Sequence, residues 1–172
     1  MKKRKTFIAM ALIIAVLLLG VGYAAITNIV LTINGTANIT ANADFDVSFD
    51  VDHEVTGTNA TGAYTNETTA TMTVNLDSTN TEATAVYKVH NESEELSATL
   101  TATVKDVDTD LDKYTDITTK LCADEACTQA LAAPIKKDEV AYVKVTATLT
   151  SNPAQDVLNK SFTVEITAAP AD

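Results

Sequence analysis

The chain has 172 residues, enough for one domain and a leader, and its two histidines and formal charge of −11 leave catalysis little to work with. All 23 carboxylates lie after residue 25, with only eight lysines among them, so a processed chain carries a net charge near −15. That charge argues against nucleic acid and anionic membrane surfaces as partners, because both repel such a chain, and it favours solubility outside the cell.

The chain opens with Lys2-Lys3-Arg4-Lys5, an apolar stretch from Phe7 to Val21, and the small residues Gly22-Tyr23-Ala24-Ala25. A basic end, a short apolar core and a small-residue cleavage zone make a secretory signal. The core is 15 residues long, and a membrane-spanning helix needs roughly 20. Residues 1–24 are therefore expected to be a cleaved signal peptide. Apolar character resumes after Ala25, so an uncleaved N-terminal helical anchor is the alternative. Residues 25–40 then read as an N-terminal extension. Within it Ile29, Leu31 and Ile33 alternate with Asn28, Val30, Thr32 and Asn34, the period of a strand. An apolar terminal strand frays unless it docks. It has two partners to choose from, its own sheet or a groove on the next molecule, as a donor strand.

From residue 41 to 172 the pattern is that of a β domain. Phe45, Val47, Phe49 and Val51 alternate with Asp44, Asp46, Ser48 and Asp50, a half-buried strand with an acidic wet face. The span from Thr56 to Thr69 is rich in Gly, Asn and Thr and reads as a loop. Strands are predicted at Met72–Leu76, Ala85–Val89, Leu96–Val104, Ala141–Leu149 and Phe162–Ile166, with a weaker one at Ile117–Leu121. Asn91 to Glu95 reads as a polar turn, Asp106 to Asp116 as an acidic excursion, and Ser151 to Lys160 as a loop with a helical turn around Ala154 to Leu158. The 29 threonines suit pleated surfaces. Seven or eight antiparallel strands without long helical patterns predict an all-β, two-sheet sandwich of jelly-roll or immunoglobulin-like type.

Few residues carry chemistry. Cys122 and Cys127 are the only cysteines, and in an exported chain the first reading is a disulfide across a tight loop. Two free thiols are the other reading. His53-Glu54 starts a zinc-protease motif, but the second ligand position holds Gly57. Asp106, Asp108, Asp110 and Asp112 alternate through one loop. An EF-hand needs Gly and Glu where Leu111 and Ile117 stand, so that match fails. A looser Ca²⁺ site or a solvated charged loop remain as readings. Six N-x-[ST] sequons begin at Asn34, Asn38, Asn59, Asn66, Asn91 and Asn159. They matter in a host that glycosylates exported proteins. No resident cofactor is expected, and the chain is not expected to be an enzyme.

The leader ending Leu18-Leu19-Gly20-Val21-Gly22-Tyr23-Ala24-Ala25, with Thr27-Asn28 soon after, resembles those processed by the SipW class of signal peptidases. The body resembles the TasA/camelysin (CalY) family of biofilm matrix proteins. Gly35-Thr36 before the Phe45–Val51 strand matches that family's early segment. Val86 to Asn91, turning into Leu96 to Val104, matches a later one. The resemblance implies cleavage between Ala24 and Ala25 by the signal peptidase. It implies a secreted jelly-roll subunit in the matrix or on the cell surface of a bacterium. Partners would be further copies of itself, head to tail, and related matrix subunits, joined through Ile29, Leu31 and Ile33. The metallopeptidase label carried by the camelysin branch is not transferred, because the zinc motif is missing. The competing expectation is a monomeric immunoglobulin-like adhesin held by an uncleaved leader.

Overall fold

A computed structural model describes residues 29–31, 45–153, 157 and 160–171. The leader, Ala24, Ala25, Ile33 and the helical turn predicted around Ala154 to Leu158 lie outside the described residues, apart from Val157. Among the described residues, no helix is long and apolar enough to cross a membrane.

The chain runs β1 (Ile29–Leu31), β2 (Val47–Phe49), β3 (Thr56–Thr58), β4 (Ala60–Asn66), β5 (Thr69–Val74), β6 (Glu82–Asn91) and β7 (Ser97–Lys105). A short helix α1 (Thr109–Asp112) follows, then β8 (Thr115–Cys122), β9 (Val140–Leu149) and β10 (Thr163–Ala171). The fold is all-β, and every strand pairing is antiparallel. One sheet has the order β2–β6–β9–β8, with β3 also pairing β6. A second is β1–β5–β4, and a third is β7 with β10.

Period-two patterning explains the centre. Ala83, Ala85, Tyr87 and Val89 of β6 point inward, opposite Ala147, Val145, Val143 and Ala141 of β9. Ala85 faces Val145 and Ala141 faces Val89, so at these two positions a small residue meets a larger one across the pair. The outward positions of the same strands include Thr84 opposite Thr146 and Lys88 opposite Tyr142. Inward residues of all three sheets join one core: Met72 and Val74 from β5, Leu100 from β7, Val164 and Ile166 from β10.

The loop expected from Thr56 to Thr69 is corrected by β3 and β4. Its alternation is real but hidden in small residues. Ala60, Gly62 and Tyr64 are the more buried positions of β4, and Thr61, Ala63 and Thr65 the exposed ones. Gly62 is small for a reason: a Cβ there would lie 2.3 Å from Val55 Cγ1 and 3.0 Å from Tyr87 Oη. Asn59 turns the chain from β3, in the sheet of β6, to β4, in the sheet of β5. Its positive φ of 52° is one that Asn tolerates better than most residues. Its side-chain amide donates to Glu82 O at 2.8 Å, and its carbonyl accepts from Asn75 N at 3.0 Å.

Candidate functional site

The β4–β5 hairpin is closed by Asn66, whose Oδ1 accepts from both the backbone N and the hydroxyl of Thr68, each at 2.9 Å. From that turn β5 sends Ala70, Met72 and Val74 into the core, all at 0% exposure, and Thr69, Thr71 and Thr73 outward. One edge of β5 is taken by β4 along its whole length. The other edge takes β1, with Ile29 opposite Val74, Val30 opposite Thr73 and Leu31 opposite Met72. Two residues of the expected donor strand are therefore brought to one edge, within their own chain. Among the described residues this ladder spans three pairs, and each net hydrogen bond in it contributes about 0.5–1.5 kcal/mol.

A small slot is lined by Val47, Ser48, Phe49, Glu67, Val89, Ile166 and Ala168, from β2, β6, β10 and the β4–β5 turn. Phe49 N donates to Glu67 O at 2.7 Å, tying β2 to the hairpin turn. Behind Phe49 sits an aromatic cluster. The Phe49 and Tyr64 rings lie 5.6 Å apart, and those of Tyr64 and Tyr87 5.9 Å apart and edge-on. Tyr87 Oη donates to Thr71 O at 2.9 Å, and Lys88 N donates to Tyr64 Oη at 2.7 Å. Burial pushes the Tyr64 phenol up to about 12 and raises that of Tyr87 further. These hydroxyls fasten β4 and β5 to β6 and are held neutral, so neither is a ready base. Lys88 Nζ lies 2.8 Å from Asp50 Oδ2. The hydrogen bond from Lys88 lowers the Asp50 carboxyl, and the same bond raises Lys88.

The other singled-out residues are dispersed. Cys122 and Cys127 form a disulfide with Cα atoms 5.1 Å apart, and Lys120 Nζ donates to Cys127 O at 2.8 Å. His53 Nε2 stands 3.5 Å from Glu125 Oε1, and His90 Nδ1 stands 3.1 Å from Glu92 Oε1. Asp108 caps α1 by accepting from Asp110 N at 2.9 Å. Lys160 Nζ lies 3.3 Å from Asp108 and 2.9 Å from Asp110, and Lys113 lies 3.0 Å from Asp110. The capping bond from Asp110 N lowers the Asp108 carboxyl, and the bond from Lys160 lowers that of Asp110. Among the described residues, no three His, Cys, Asp or Glu side chains gather as a metal site.

The polar turn expected at Asn91 to Glu95 is corrected too, because Asn91 and Ser93 are fully buried. Asn91 Nδ2 donates to Leu96 O at 2.8 Å and Ile135 O at 3.0 Å, and its Oδ1 accepts from Ser93 N at 3.1 Å. Ser93 Oγ donates to Asp46 O at 3.2 Å and accepts from Asp46 N at 2.9 Å. This sequon is a structural knot joining β2, β6, the start of β7 and the Ile135 loop. Carrying the inward period of β6 two residues past Val89 lands on Asn91, which is the signal that sequence reasoning missed.

No protein-family model matches the chain, and comparison with curated proteins and with solved structures returns no match.

Proposed function

We propose that the chain is a secreted structural subunit of extracellular, biofilm-matrix fibres of the TasA/camelysin kind. Its sheets form a jelly-roll-type sandwich, and its N-terminal strand is donated to the next subunit once the leader is removed. The observation that carries this reading is the β1–β5 pairing. The strand Ile29–Leu31 is paired to β5, some forty residues on in sequence, and β2 pairs in a different sheet. The same backbone bonds form equally well when the strand comes from a neighbouring copy. A head-to-tail exchange of that kind does not close on itself and grows a filament. While the leader tethers residue 25, the strand is not free to leave.

The test is electron microscopy of protein beginning at Ala25 beside protein lacking residues 25–34. The first is expected to form filaments and the second to stay monomeric. Filaments from both remove the proposal. Pairing of β1 within its own chain favours one second reading, a monomeric surface adhesin held by an uncleaved leader. Intact-mass measurement of the exported protein separates the two, since retained residues 1–24 select the anchor.

A further inference from the structure

We propose that the outward face of the sheet formed by β3, β6, β9 and β8 is a self-complementary contact between two copies of this chain, arranged about a two-fold axis. The contact itself does not depend on strand donation. Its repetition along a filament rests on the reading above.

The pairing registers lay this face out in three rows across the strands. The middle row is threonine throughout. Thr118 of β8 stands opposite Thr146 of β9, Thr146 opposite Thr84 of β6, and Thr84 opposite Thr58 of β3. Two residues along the strands, Lys120 stands opposite Lys144. Two residues the other way, Asp116 and Glu82 flank Thr148. Residues directly opposite in an antiparallel pair share one side of the sheet. Val143, Val145 and Ala147, which alternate with the β9 members, are fully buried, so all three rows point outward. Asp116, Thr118, Lys120, Glu82 and Thr58 are exposed, and Lys144, Thr146 and Thr148 are half-buried.

The lysine row is unfavourable within one subunit. Like charges directly opposite destabilise a ladder, and this chain is rich in carboxylates. Lys88, Lys105, Lys113 and Lys160 each stand against one. Among the described residues Lys120 and Lys144 have none at ion-pair distance, and Lys120 Nζ donates to Cys127 O. Asp116 and Glu82, on the far row, have no cation at that distance either.

A two-fold axis along the threonine row answers both rows at once. It turns one sheet over onto the other and sets the lysine row of each copy against the acidic row of the other. Lys120 then faces the partner's Asp116, and by symmetry this happens twice. Lys144 faces the partner's Thr148, which lies between two carboxylates. The uncharged threonines meet their own counterparts in the middle, where short side chains let two pleated sheets approach. Such a contact is isologous. Two lysines against two carboxylates also balance the charge of this face, in a chain whose processed form carries a net charge near −15. A polyanion drawn to the lysines meets the acidic row, and a basic partner meets the lysines. A second copy, turned over, satisfies both.

Four strands about 4.8 Å apart and five residues deep give this face roughly 300–400 Å², against about 800 Å² per partner in a standard interface. One contact is therefore weak. In the proposed filament the face repeats with every subunit, and many weak contacts in parallel would hold two filaments side by side.

The experiment is charge exchange in the processed full chain at high concentration, read by cross-linking. Thr146→Cys lies on the axis, and the native cysteines are already paired. A short bismaleimide is expected to join two copies through this position, and to join them several-fold less through Thr101→Cys on the outward face of β7. Lys120→Glu with Lys144→Glu, added to Thr146→Cys, is expected to lower the dimer yield on the order of tenfold, and Asp116→Lys with Glu82→Lys to do the same. An equimolar mixture of these two charge variants is expected to recover the parent yield as heterodimer. Equal yields through positions 146 and 101, undiminished yield in either charge variant, or no recovery in the mixture overturns the contact. Electron microscopy of the same samples keeps the two readings apart. Dimers through position 146 without filaments support this contact and remove strand donation, and filaments without such dimers do the reverse.

Discussion

The β6–β9 pair and the β1–β5 pair are built from the same pleated geometry and differ in how much of it is satisfied internally. β6 and β9 are ten-residue strands matched over nine consecutive positions, flanked on both sides, with inward residues at 0–3% exposure. Among the described residues β1 is Ile29–Leu31, matched to Met72–Val74 of β5. The first pair is determined several times over. The second depends on a segment far from β5 in sequence, which on the proposed reading a second copy supplies. If the proposed donation holds, stability and assembly reside in different strands, and variants should separate them.

The largest effect is expected at the centre. Tyr87→Ala empties the space beneath Phe49 and Tyr64 and deletes the bond to Thr71 O. It is expected to cost about 3–5 kcal/mol in chemical denaturation. Next comes the knot: Asn91→Ala leaves Leu96 O, Ile135 O and Ser93 N without their partner, a loss of about 2–3 kcal/mol by the same measurement. A smaller loss, about 1–2 kcal/mol, is expected when the Ile29–Leu31 pairing to β5 alone is taken away from a monomer, because the described ladder there spans three residues. Hydrogen exchange sharpens that contrast: amides of β5 that face β1 should exchange well before those of β6 and β9. Equal protection would erase the distinction between the two pairs.

The smallest effect is electrostatic. The Asp50 carboxyl is lowered by Lys88, so its contribution is present above the ordinary carboxylate value of 3.8 and is lost as pH falls below it. Both side chains keep about a fifth to a quarter of their exposure, which holds the pair to ~1 kcal/mol or less. Asp50→Asn should flatten that acid limb of the stability curve. At the other end, Tyr64 is raised to about 12 from 10.0. Its contribution is complete below pH 10 and is lost as pH climbs through 12, which ultraviolet titration of Tyr64→Phe against the parent resolves.

The difference between the two regions also decided what could be read from residues alone. β6, β7, β9 and β10 announce themselves by alternation of Val, Ile, Leu and Ala with Thr, and β2 by Phe45 to Val51 against aspartates. β4 stayed hidden because close approach to Val55 and Tyr87 requires Gly62 at an inward position, which removes the hydrophobic mark. Sheet membership was not legible, since β1 meets β5 and β3 meets β6 across long separations, and local period carries no such information. Ile29 and Leu31 were legible as a strand needing a partner. The edge that receives them is Met72 to Val74 of β5, a pairing across some forty residues that local alternation does not reveal.

Asn59 gives the last consequence. This single residue bridges the sheet that receives the N-terminal strand and the sheet built around β6, with its side chain bonded to Glu82 O. A lengthwise pull on a strand lodged against β5 loads its ladder in shear, with all bonds sharing the force. The load then passes through β4 and over this bridge into the long β6–β9 ladder. In the proposed filament, a chain of such units is expected to carry tension through its most heavily bonded strands.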